Sequence, residues 1–94
     1  MRPETFDIGD HVVIEGHWEF PDGTTGVIAE PDPFMVSLVA GDERWMGHRR
    51  TVRGREGPIV FYYVVFDRPT DDGSGDGPYR GGEIDASSLR RAVA

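Results

Sequence analysis

Cysteine is absent from the chain, which removes disulfides, zinc ribbons and thiol chemistry at once. Lysine is absent too: all ten basic residues are arginine, a usage that fits GC-rich coding and carries no mechanism by itself. No apolar stretch approaches the roughly 20 residues of a membrane-spanning helix. Met1–Glu15 lacks the cationic start and apolar run of a secretory leader, so a cytoplasmic protein without a membrane partner is expected. Catalytic context is missing as well. Ser37, Ser74, Ser87 and Ser88 stand in no nucleophile-elbow setting. The histidines His11, His17 and His48 have no spacing that forces them together on a metal. No nucleophile, base and orienting group can be assembled, so a non-enzyme is expected, with no catalytic residues and no cofactor.

What is present is a chain of 94 residues with a net charge of −7 and ten aromatic side chains. At that length the chain makes one domain, residues 1–94, and buries only about 60–65% of its unfolded surface. DNA is repelled at long range and is an improbable partner. The charge is unevenly spread: Arg44, Arg49, Arg50, Arg53 and Arg55 fall in one stretch, and Asp67, Asp71, Asp72 and Asp76 in another.

Apolar periodicity points to strands. Val12 and Ile14 alternate with their neighbours behind a Gly9-Asp10 turn. Pro21-Asp22-Gly23 is a second turn, followed by a strand over 24–30 in which Gly26 marks a bulge or a close backbone approach. Phe34–Ala40 fits a strand better than a helix, and the arginine-rich segment Gly41–Gly57 reads as a long loop. Ile59–Phe66 is an eight-residue apolar and aromatic run, suited to a central strand. Asp67–Gly82 reads as an acidic loop. Glu83–Val93, with Ile84, Leu89 and Val93, suits a strand, one 3₁₀ turn and a strand, in preference to a short helix.

Several of these segments resemble a known family. Gly9-Asp10-His11-Val12-Val13-Ile14, His17-Trp18, Gly23-Thr24-Thr25-Gly26-Val27-Ile28, Tyr63-Val64-Val65-Phe66-Asp67 and Glu83-Ile84 are similar to the pattern of the electron-transport accessory proteins. These are small SH3-like barrels, among them photosystem I reaction-centre subunit IV, the variable chain of ferredoxin–thioredoxin reductase and the barrel of the nitrile hydratase β-subunit. The likeness covers roughly residues 6–28 and 59–89 and leaves Pro31–Pro58 unmatched. It implies an all-β, SH3-like barrel of about five strands with long loops and a short 3₁₀ turn near the C-terminus. It also implies an accessory role, with no catalytic residues to carry over.

Three partner readings follow. In a protein-binding module, or one that self-associates, the contact residues would be Trp18, Tyr62, Tyr79, Arg49, Arg50 and Arg53. The long strand contributes because both of its faces are apolar: Ile59, Phe61, Tyr63 and Val65 alternate with Val60, Tyr62, Val64 and Phe66. Either loops cover one face or a partner does, with Tyr79 at its rim. The second reading is a Ca²⁺ site. Asp72, Ser74 and Asp76, then Gly77 and Glu83, occupy the first, third, fifth, sixth and twelfth places of a calcium-loop template. Ser74 is a weak ligand there, Arg80 a misplaced charge, and a solvated acidic loop is the plainer alternative. The third is RNA binding through the arginines of 44–55 with Trp45 and Met46 beside them, set against simple pairing with Asp42, Glu43 and Glu56.

Overall fold

The computed structural model describes residues 5–92. The described residues form one six-stranded antiparallel sheet. Its strands are β1 (His11–Ile14), β2 (Thr24–Ala29), β3 (Arg49–Gly54), β4 (Gly57–Thr70), β5 (Tyr79–Asp85) and β6 (Leu89–Arg91). β4 organises the rest. One of its edges pairs first with β3 along Gly57–Tyr62 and then with β2 along Tyr63–Phe66, while the other edge takes β5. β1 joins β2 to β6. The domain is therefore all-β, as expected.

A single core lies on one face of this sheet. Val12 and Ile14 of β1, Ile28 of β2, Tyr62, Val64 and Phe66 of β4, Ile84 of β5 and Leu89 of β6 meet Phe6 and Phe20 there. Since all five of those strands contribute to one cluster, the sheet wraps around it. The hydrogen-bond ladder stays open, because β5 and β6 are joined only through the 3₁₀ turn Ala86–Ser88. That strand, turn and strand match the expectation for the C-terminal piece; Val93 lies outside the described residues.

Three glycines fix the geometry. Gly26 lets β2 approach the β4 backbone closely. Gly81 and Gly82 lie under rings on opposite faces of β5: Tyr63 covers Gly81 from outside, and Phe20 covers Gly82 from the core side.

The six strands among the described residues accord with the expectation of about five. Three expectations are corrected. Gly41–Gly57 is not a loop: after a 3₁₀ turn at Gly41–Glu43 it forms β3, which makes a hairpin with β4 through Arg55-Glu56. Phe34–Ala40 is not a strand. Its first part belongs to the short helix α1 (Pro33–Ser37), because Asp32 caps the Met35 N–H at 2.8 Å and Pro33 presets the first helical φ. The acidic loop is also shorter than read, since β4 continues to Thr70 and β5 begins at Tyr79.

Candidate docking surface

The two faces of β4 differ. Tyr62 and Val64 are buried on the core side, while Phe61 and Tyr63 on the other side are half-buried. Trp45, itself buried, meets Tyr63 edge-on with ring centroids 6.4 Å apart. The segment that carries α1, the 3₁₀ turn and Trp45 thus covers the middle of the outer face. Ile59 and Val65 are left exposed at its ends. Burial, then the charge of Asp32, pushes the Tyr63 hydroxyl above its usual range.

Tyr62 cannot meet a partner. It is 1% exposed, its hydroxyl accepts the Phe6 N–H at 3.2 Å, and its ring meets Phe6 edge-on at 5.3 Å. The odd-numbered side chains of the run form the outer face, which period alone does not decide. Tyr79 is not on the rim of that face either. It is half-buried against the core and edge-on to Phe20 at 6.1 Å.

Trp18 is 86% exposed. It stacks on His17, which stacks in turn on Phe20, at centroid distances of 5.8 and 5.7 Å. Phe20 lies on the core side of Gly82, so Trp18 belongs to a different part of the surface from Phe61 and Tyr63. The His17 side chain is only 3% exposed, and its Nδ1 accepts the N–H groups of Glu19 and Phe20 at 3.1 and 3.3 Å. Burial holds its pKa below the ordinary 6.5, with Asp85 opposing. Neutral His17 therefore contributes stability that is fully present above about pH 6.5 and is lost as pH falls toward the lower folded value. Urea midpoints taken between pH 7.5 and 5.5 should fall in the native protein and fall less in His17→Asn. Parallel pH dependences in the two would refute that role.

The arginines do not form one patch. Register puts Arg50 opposite Phe61 on the outer face, whereas Arg49 and Arg53 oppose Tyr62 and Pro58 on the other. Arg50 is engaged within the chain: it pairs with Glu83, donates from Nε to the Glu43 carbonyl at 2.7 Å, and lies 5.8 Å from the Phe61 ring centroid. The RNA reading thereby loses Arg50 to an internal network. Trp45, buried against Tyr63, is also removed from stacking.

The calcium-loop template fails on geometry. Glu83, its closing ligand, pairs with Arg50. Asp72 Oδ1 accepts the Ser74 N–H and hydroxyl, Asp71 accepts the Gly73 N–H, and Ser74 Oγ accepts the Asp76 N–H. These are turns closed by their own side chains. The two Ser74 bonds hold the Asp72 carboxyl below its usual range. Burial, then a hydrogen bond to Asp72 and its charge, pushes Glu19 up. Among the described residues no three His, Asp or Glu gather in a metal-holding arrangement. Ser87 and Ser88 both donate to Asp85, so their hydroxyls are held by a carboxylate and not by an imidazole.

The exposed apolar surface that sequence reasoning missed lies on and after α1. Phe34, Val36 and Leu38 are 69%, 43% and 60% exposed, and Met46 is 65% exposed. α1 buries no residue at all. Phe34 and Leu38, four apart, share a helix face. The available signal was Asp32-Pro33, a cap followed by a first-turn proline.

No described helix is long and apolar enough to cross a membrane. Comparison with known proteins found no matching family model, curated protein or solved structure.

Proposed function

We propose that the chain is a non-enzymatic, cytoplasmic docking domain, an accessory subunit or module that binds a protein partner through the apolar ridge of α1 and the segment after it. The supporting observation is the exposure of Phe34 on α1, which buries nothing, with Leu38 at its C-terminal end and Met46 in the segment that follows. Small monomeric domains scatter exposed apolar side chains singly, and clustering marks interaction sites. The likeness of the strand segments to the electron-transport accessory proteins agrees with such a role.

The test is a photo-reactive amino acid at position 34 in the native cell, followed by reconstitution with the purified cross-linked partner. Phe34→Asp with Leu38→Asp should weaken that complex about tenfold or more, as expected of anchor residues. The melting temperature should hold, because neither side chain is buried. A complex of unchanged affinity would defeat the proposal.

A further inference from the structure

We infer that the free edge of β3 accepts an extended peptide as an added strand, and that this peptide alternates acidic and basic residues. Among the described residues β3 pairs as a strand with β4 on one side only. On its other side, Arg49 exchanges both backbone bonds with Met46, at 2.7 and 3.3 Å. Alternate residues of a strand turn their N–H and C=O groups to the same edge. Thr51 and Arg53 therefore present theirs outward beside Arg49, and no described backbone group pairs with them. The slot begins where Met46 ends.

A cavity of about 840 Å³ lies against the β3–β4 hairpin, lined by Thr51, Val52 and Arg53 of β3, Gly57 and Pro58 of β4, and Asp42 and Glu43 of the 3₁₀ turn. Its charges are sorted by face. Arg49, Thr51 and Arg53 share one face of β3 and are exposed. Arg50, on the opposite face, reaches the Glu43 carbonyl, which places the acidic turn on that second side. None of Arg49, Arg53, Asp42 and Glu43 has a side-chain ion pair among the described residues. An added strand also sends alternate side chains to opposite faces. Carboxylates on one face would meet Arg49 and Arg53, and cations on the other would meet Asp42 and Glu43. Main-chain bonds supply affinity in such additions and the alternating side chains supply specificity. A nucleic acid has no peptide groups to complete the edge and would face two carboxylates. The edge is distinct from the Phe34–Leu38 ridge, so the two surfaces stand or fall separately.

Fluorescence anisotropy with three labelled probes tests this: an octapeptide alternating Glu and Lys, a block peptide of identical composition, and an adenosine oligonucleotide. The alternating peptide should bind about tenfold tighter than the block peptide. Thr51→Pro removes an outward N–H and leaves the β4 ladder intact; it should cost most of that difference. Arg53→Glu, at an exposed position, should do the same with the melting temperature retained, and it decides the matter if Thr51→Pro does not fold. Equal binding of the two peptides, indifference to both variants, or tighter binding of the oligonucleotide overturns the inference.

Discussion

Tyr62→Ala should cost about 3–5 kcal/mol, the loss typical of truncating a large buried aromatic side chain. Small domains are stable by only about 5–15 kcal/mol, so much or all of the folded population is at risk. The residue combines three roles. Its ring is 1% exposed in the centre of the core, it packs edge-on against Phe6, and its hydroxyl satisfies the Phe6 N–H. The His48 ring lies 5.9 Å away, and its Nε2 is 2.9 Å from the Phe6 carbonyl oxygen. Tyr62 thus ties the segment before β1 to the hairpin of β3 and β4. Tyr62→Phe keeps the ring and orphans one buried N–H, for about 1–3 kcal/mol. Urea unfolding of the two variants measures both. An alanine variant as stable as the native protein would mean that Tyr62 is a surface side chain after all.

Gly26→Ala should cost about 3 kcal/mol, at the upper end of ordinary overpacking. A Cβ at Gly26 would lie 2.5 Å from the Val65 carbonyl oxygen and 2.6 Å from Val64 Cγ1. The first of these is backbone in the middle of β4, paired on both edges, and has nowhere to retreat. Space alone forbids the methyl group, since the Gly26 backbone is not left-handed. Gly9 offers the opposite case: its φ is +93° and nothing stands within 4 Å of a Cβ. There only conformation resists, for about 1–2 kcal/mol. Thermal melts should rank Gly26→Ala well below Gly9→Ala. The reverse order would remove the close approach of β2 to β4.

Much of the sheet was legible in the sequence because burial on one face writes a period of two. Val12 and Ile14 show it in β1, and the β-branched Val27 and Ile28 mark β2. In Ile59–Phe66 both parities are apolar, so the strand was readable and its inner face was not. Packing chose Tyr62 over Tyr63, with Trp45 arriving from outside to half-cover the latter. β3 was missed because its side chains never become buried: Arg49, Thr51 and Arg53 are exposed, and Arg50 and Val52 only half-buried. A strand held by cross-strand pairing to β4 leaves no hydrophobic signature. The ligand template failed for a related reason. Spacing along a loop fixes neither the direction of Glu83 nor its preference for Arg50.

The pairing of β1 with β6 ties the first described strand to the last. During synthesis, His11–Ile14 can find β2 soon after it emerges, but its other edge waits until Leu89–Arg91 has left the ribosome. Until then that edge is a bare template, and closing so wide a loop is slow compared with making the local hairpins. The sheet is thus completed only once β6 has been made, and the interval before it is when the chain is most open to pairing with the wrong strand.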